Sequence, residues 1–341
     1  MRLRPLGHTG TYVTELCLGT MTFADGADKD MTATILDRYL DAGGNFIDTA
    51  NVYADTNSEA WLGELLGSRR EDVVLATKAF SVDRLGASPN DRGSSRRNLI
   101  RSVDASLRRL RTDRIDLLQL HCWDNYTPLE ETLSALDDLV RAGKVIYLGA
   151  SNFAGWQIAK SVTMQLLNGW QRFVTIQPQY SLLVRDAELE ILPASRDAAL
   201  GVLAWSPLAG GILTGKYRRD QTPTDGRLSD PASFESQRMA ADGDRAWELL
   251  DTLERVAAET GHSPGQVALN WLLTRPGMTA PITGARTVDQ LENNLGATGW
   301  DLDPALVEEL DNASRRPHDY VSEFIAGANS APDKRGQGAD D

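Results

Sequence analysis

The chain has 341 residues, 41% hydrophobic and 24% charged, with a formal net charge of −13; this is globular composition at a length that needs no covalent staple. The acidic balance, without a basic stripe, argues against a nucleic-acid surface, and two cysteines, Cys17 and Cys122, are too few for a disulfide framework. No window approaches the ~18 apolar residues of a membrane span, and Met1-Arg2-Leu3-Arg4-Pro5 lacks the apolar run of a signal peptide, so a soluble cytoplasmic protein without a membrane partner is expected.

Ahead of Glu15, turn signals at Gly7 and Gly10 suit a hairpin capping the lower end of a barrel. Short apolar runs follow at 15–19, 45–48, 73–78, 115–120, 145–149, 173–177, 202–205 and 279–283. They are apolar on both faces, as parallel strands covered by helices are. Helical patterns fill the gaps. Leu99, Val103, Leu107 and Leu110 recur at helical spacing. Thr127-Pro128-Leu129-Glu130 reads as a capping box with proline at the first helical position, and Ser263-Pro264-Gly265-Gln266 repeats that signal. Trp247, Leu250, Leu253 and Ala257 mark another helix, and Gly67 and Gly143 look like helix stops. Such alternation fits a (β/α)8 barrel or a doubly wound open sheet. The open sheet calls for a Gly-rich phosphate turn after the first strand, but Gly19-Thr20-Met21-Thr22-Phe23 has no G-x-G-x-x-G, which favours the barrel. A long connection from Trp205 to Ala246 suggests a lid after the seventh strand. Residues 1–325 read as one domain, and the tail from Ala326 to Asp341 as disordered.

In such a barrel the carboxyl ends of the strands converge on one mouth. Here they carry Asp48, Lys78, His121, Ser151 with Asn152, Gln177, Trp205, and Thr283 through Arg286. Tyr53 follows Asp48 by one short loop. A free tyrosine titrates near pH ~10, too high for easy proton donation, and an ammonium beside it favours phenolate. Lys78 needs a counterion in a half-buried mouth, and Asp48 supplies one; His121 is placed to hold a substrate oxygen or relay the proton. Taken singly, these residues have plainer readings. Asp48 and Lys78 are equally an ion pair across the barrel top, Tyr53 a surface aromatic and His121 a core residue. Lys78 at a strand end also suits a Schiff base. A metal at His121-Cys122-Trp123-Asp124 is not expected, since no second ligand pair has metal spacing.

After the last strand, Thr287-Val288-Asp289-Gln290 has capping-box form directly behind Gly284-Ala285-Arg286. Orphan amides at a helix start beside an arginine make an anion site, and Gln290, Asn293 and Asn294 on the first two turns are within reach of a ribose or a base. An ordinary capped helix with a surface arginine reads the same way.

The sequence resembles the aldo-keto reductases over about residues 1–315, in the branch of bacterial aldo/keto reductases and potassium-channel β subunits. The resemblance rests on Gly43-Gly44-Asn45-Phe46-Ile47-Asp48-Thr49-Ala50 with Tyr53, Ala76-Thr77-Lys78, and Asp116-Leu117-Leu118-Gln119-Leu120-His121. Further motifs are Gly143-Lys144-Val145-Ile146-Tyr147-Leu148-Gly149-Ala150-Ser151-Asn152, Trp205-Ser206-Pro207-Leu208, Gly210-Gly211-Ile212-Leu213-Thr214-Gly215-Lys216-Tyr217 and Gly284-Ala285-Arg286. It implies a (β/α)8 TIM barrel that reduces a small-molecule carbonyl with NADPH, without a metal, as a monomer or homo-oligomer. The implied catalytic tetrad is Asp48, Tyr53, Lys78 and His121, with Tyr53 as the acid. Implied cofactor residues are Ser151, Asn152 and Gln177 at the carboxamide and Trp205 against the nicotinamide, with Gly19, Thr20, Met21 and Asp48 beside it. Ser206, Pro207, Leu208, Ala209, Gly210 and Lys216 fall at the pyrophosphate. Gly284, Arg286, Gln290, Asn293 and Asn294 surround the adenosine phosphate. Many relatives have lysine where Gly284 stands, which leaves Arg286 as the charge for a 2′-phosphate. Met21, Phe23, Trp123, Tyr126 and Tyr180 are expected to line an aromatic substrate pocket. Channel β subunits of the family keep the same barrel and tetrad, so a regulatory, redox-sensing role is the alternative.

Overall fold

The computed structural model describes residues 1–81, 88–219, 226–316 and 320–329. The chain opens with an antiparallel hairpin of β1 (Leu3–Pro5) and β2 (Tyr12–Thr14). Eight strands then close a barrel: β3 (Cys17–Gly19), β4 (Phe46–Asp48), β5 (Val74–Ala79), β6 (Ile115–Leu120), β7 (Val145–Ser151), β8 (Phe173–Gln177), β9 (Gly201–Ala204) and β10 (Met278–Thr283). Every pairing around the ring is parallel and joins strands consecutive in the chain, with β10 closing on β3. This is the (β/α)8 barrel rather than the open sheet.

The hairpin is the barrel's floor. Leu6 and Val13, both fully buried, pack with Cys17, Phe46, Ala76, Leu117, Val174, Leu203 and Ala280 inside the ring. Gly7 makes the turn at φ +58°, where a Cβ would lie 2.0 Å from the Val174 carbonyl oxygen. Only glycine fits so close to the floor in that conformation.

Side chains alternate along each strand, and inward positions stack in layers. On β4, β5 and β6 the lower inward residues are Phe46, Ala76 and Leu117. Two residues further along come Asp48, Lys78 and Gln119, with Lys78 in register beside Gln119. The inside therefore changes from an apolar floor to a polar ceiling within one turn of the pleat. Amphipathic helices cover the outside. Arg96–Leu110, for example, starts with Ser95 accepting from the Asn98 amide, buries Leu99, Val103 and Leu110, and stops at Arg111 in a left-handed conformation.

Two sequence expectations need correction. The helix expected from Pro128 runs Leu129–Arg141, and Thr127 forms no capping box: its hydroxyl donates to Asp124 Oδ2 at 2.7 Å, while Pro128 at the cap has no side-chain acceptor. The Ser263–Gln266 box does form. The tail expected to be disordered from Ala326 is helical over Tyr320–Asn329, and 330–341 lie outside the described residues. The connection after β9 is folded where it is described, as a 3-10 helix at Ala209–Thr214 and an α-helix at Phe234–Asp242; 220–225 lie outside the described residues. Among the described residues no helix is long and apolar enough to cross a membrane.

Candidate active site

Asp48 ends β4 and Lys78 is the fifth residue of β5; they are 2% and 1% exposed. The Lys78 ammonium donates to Asp48 Oδ2, to the Thr49 carbonyl at 3.0 Å and to the Tyr53 hydroxyl at 3.2 Å, which uses all three of its protons. Burial alone would push this ammonium down, but Asp48 outweighs it, helped by Tyr53, and holds Lys78 above its ordinary value. A lysine kept cationic has no lone pair for a Schiff base, so that reading falls. The arrangement is also more than an ion pair, because the third proton rests on the phenol.

The other Asp48 oxygen is filled by two amides. Gln119 Nε2 donates to Oδ1 at 3.0 Å and Gln177 Nε2 at 2.9 Å. Sequence reading assigned Gln119 no role, although it lies one strand repeat before His121, on the same face of an otherwise apolar run.

Tyr53 enters through a backbone feature that residue types did not signal. Ala54, Asp55 and Thr56 all have positive φ, at 49°, 50° and 76°, a conformation that costs non-glycine residues about 1–2 kcal/mol each. The helix Asn57–Leu66 behind this turn anchors it. Ser58 Oγ donates to the Thr20 carbonyl at 2.8 Å, and buried Glu59 takes both the Thr77 hydroxyl at 2.6 Å and Arg109 Nε at 2.7 Å.

His121 follows β6, its ring edge-on to that of Tyr53 with centroids 6.0 Å apart. Its Nδ1 is enclosed and has no hydrogen-bond partner. Burial, and secondarily the Lys78 charge, push its pKa down to about 3. The imidazole is therefore neutral near pH 7, a hydrogen-bonding group rather than a cation.

The ends of β7, β8 and β9 are joined by hydrogen bonds. Ser151 Oγ donates to the Gln177 carbonyl at 2.8 Å, Asn152 Nδ2 to the His121 carbonyl at 2.9 Å, and Trp205 Nε1 to Asn152 Oδ1 at 3.2 Å. Asn152 is held at φ 55°, where asparagine is tolerated better than most residues. Beyond Trp205, Ser206, Ala209, Gly210 and Gly211 also have positive φ. Pro207 and Ala209 are buried and Leu208 packs on the core, and the Ala209, Gly210 and Gly211 amides bond within the turn to the Ser206 carbonyl, the Ser206 hydroxyl and the Leu208 carbonyl. Lys216 folds back over the turn, with Cε 3.4 Å from where a Gly211 Cβ would be.

After β10, Thr287 accepts from the Gln290 amide at 3.3 Å and caps the helix Val288–Leu295. Gln290 Oε1 reaches past the cap to the Arg286 amide at 2.8 Å. Buried Asn294 donates to the Gly284 carbonyl at 3.3 Å, and Asn293 Oδ1 accepts from Ser263, so both are engaged within the chain. Arg286 is exposed, and among the described residues its guanidinium has no acidic partner.

The expected aromatic pocket divides. Met21 is 47% exposed and lies with Thr20 directly after Gly19, the last residue of β3. Trp123 packs edge-on to Phe153 and Trp156 at 5.2 and 5.4 Å, and Tyr126 points into solvent. Phe23 and Tyr180 are corrected: both are fully buried. Phe23 sits in the cluster with Ile35 and Leu36, and Tyr180 packs against Trp271 with its hydroxyl on Glu188 at 2.6 Å. Neither presents a surface to a ligand. No group of three or more His, Cys, Asp or Glu among the described residues is placed to hold a metal.

The model of the aldo/keto reductase family matches residues 15–315, which span the eight barrel strands and the side chains of the candidate site. The chain belongs to the aldo/keto reductase family. Among other oxidoreductases of this family, it is 41% identical to the uncharacterized oxidoreductase YrpG of Bacillus subtilis over 94% of this chain and 98% of the relative. It is 36% identical to norsolorinic acid reductase stcV of Emericella nidulans, over 91% and 80%. A probable voltage-gated potassium channel subunit beta of Oryza sativa subsp. japonica is 34% identical over 91% and 94%. This aldo/keto reductase thus resembles both reductases and channel subunits at similar identity.

Proposed function

We propose that the protein reduces an aldehyde or ketone to the alcohol with NADPH, and that Tyr53 protonates the carbonyl oxygen. The observation that carries this reading is the placement of one Lys78 proton on the Tyr53 hydroxyl at 3.2 Å while Asp48 and the Thr49 carbonyl take the others. When the phenol gives up its proton, an ammonium already in hydrogen-bond contact stabilises the phenolate without reorganisation. Neutral His121, with Nδ1 enclosed, leaves Nε2 as the ring nitrogen able to donate to the carbonyl oxygen and orient it toward the phenol.

The residues present fit NADPH. Gln177 spends its amide protons on Asp48 and Gln119, which leaves Oε1 as an acceptor for a carboxamide. The Trp205 indole is partly exposed and pinned by Asn152. Lys216, folded over the left-handed turn at Ser206–Gly211, suits a pyrophosphate, and the exposed Arg286 beside a helix start suits a 2′-phosphate. A reduced nicotinamide supplies the hydride when bound. The protein's part is to hold the carbonyl, exclude water and deliver the Tyr53 proton.

Likeness to probable channel β subunits supports a second reading, a nucleotide-binding regulator with slow turnover. Following NADPH consumption over a panel of aldehydes, ketones and keto-sugars separates the two. Turnover of at least one class supports the reductase; negligible turnover throughout, with a membrane-protein partner co-purifying, favours the regulator.

A further inference from the structure

Gln119 is the last residue but one of β6, fully buried, and makes two contacts with its amide. Nε2 donates to Asp48 Oδ1 at 3.0 Å, and Oε1 accepts from Gln177 Nε2 at 3.1 Å. Gln177 Nε2 also donates to the same Asp48 oxygen at 2.9 Å. Side chains from β4, β6 and β8 therefore close a ring across the barrel, directly beneath the mouth. The space for it comes from β7: a Cβ on Gly149 would lie 3.0 Å from Gln119 Cγ.

A buried carboxylate is tolerable only with its lone pairs occupied. Lys78 occupies Oδ2, and the two amides occupy Oδ1. With the Gln119 donor lost, Oδ1 keeps only the Gln177 amide, and the carboxylate is freer to turn toward the ammonium, which competes with the Tyr53 hydroxyl for the same protons. We propose that Gln119 is a positioning residue for proton transfer: together with Gln177 it occupies Asp48 Oδ1, confines Lys78 to Oδ2, and so keeps one ammonium proton on the Tyr53 hydroxyl. The inference rests on Tyr53 being the proton donor. It extends the working unit one layer deeper into the barrel, to a residue that touches neither substrate nor cofactor.

The titratable groups around this ring are few. Cys17 faces it from β3, and burial followed by the Asp48 charge hold its thiol well above the ordinary value, hence neutral. Lys78 comes from β5, Tyr53 from the loop after β4, and His121 from the end of β6, neutral as described. Tyr53 is thus the group whose ionisation reports a change in how Lys78 donates.

The test uses the full chain with Gln119→Met, which keeps the volume and removes the amide, and Gln119→Asn, which keeps the amide but shortens its reach. In the cofactor-free protein, the tyrosinate absorbance step of Tyr53 is isolated by subtracting the matching Tyr53→Phe variant. The step is expected to move to higher pH in Gln119→Met and by less in Gln119→Asn. For reduction, kcat is expected to fall about tenfold with the KM for NADPH within about twofold, a transition-state loss rather than a binding loss. A Tyr53 step unmoved in both variants overturns the proposal. So does a loss of kcat explained by a smaller folded fraction alone. Because the absorbance is read without turnover, it decides the role of Gln119 even if wild-type protein reduces no carbonyl, the result that would instead refute the proposed function.

Discussion

Lys78 stands between Asp48 and Tyr53, bonded to the carboxylate on one side and 3.2 Å from the phenol on the other. The ammonium is 1% exposed, so its charge is balanced almost entirely by Asp48. Removing one partner strands the other. Lys78→Met is expected to destabilise the protein by ~3–5 kcal/mol, the usual consequence of an uncompensated buried charge. Adding Asp48→Asn should recover a large part of that loss, and urea denaturation of the single and double variants measures it. Equal loss in Lys78→Met and in the double variant would mean that packing, not charge, sets the effect.

His121 gives the acid side of the stability profile its sign. In the native protein it stays neutral down to about pH 3, against an ordinary value of 6.5. Between those values the unfolded chain binds the extra proton and the native state does not, so stability rises with pH there and is lost on acidification. The slope from this one group is at most ~1.4 kcal/mol per pH unit. His121→Asn is expected to flatten the stability profile between pH 6 and pH 4 by about that amount. An unchanged slope would show that the imidazole is protonated in the native state.

The left-handed turn behind Tyr53 stores strain that a glycine would release. Ala54 sits at φ 49°, and Ala54→Gly is expected to raise stability by ~0.5–1 kcal/mol, the excess of the left-handed penalty over the entropy of glycine in the unfolded chain. Gly7→Ala acts oppositely. Its Cβ would collide with the Val174 carbonyl of the barrel floor, and a loss of at least ~2 kcal/mol is expected. Thermal melts of both variants distinguish the two signs.

The barrel was legible in the sequence because both-faced apolar runs alternated with capped helices, and because a polar residue closed so many of the runs. Asp48, Lys78 and His121 stood out for that reason. Gln119 did not, since its meaning depends on Gly149 and Gln177, far away in sequence and brought beside it only when the ring closes. Phe23 and Tyr180 misled in the opposite way: an aromatic near a strand end reads as a pocket wall, but helix packing and the Glu188 acceptor draw these two into the core. The capping box at Thr127 failed because Asp124, three residues upstream, captures the hydroxyl first.

Arg286 is exposed and lacks an acidic partner among the described residues. Arg286→Ala is expected to raise the KM for NADPH about 10–100-fold, matching the loss of one or two charge-assisted hydrogen bonds, and to leave the KM for NADH nearly unchanged. Equal effects on both would show that Arg286 does not read the 2′-phosphate.

The most direct measurement is single-turnover carbonyl reduction by Tyr53→Phe, with NADPH binding followed in parallel by intrinsic fluorescence. The hydroxyl contacting Lys78 is removed while the ring stays, so binding is expected to persist as the rate falls ~10²–10⁴-fold. An unchanged rate with bound NADPH would contradict the assignment of Tyr53 as the proton donor.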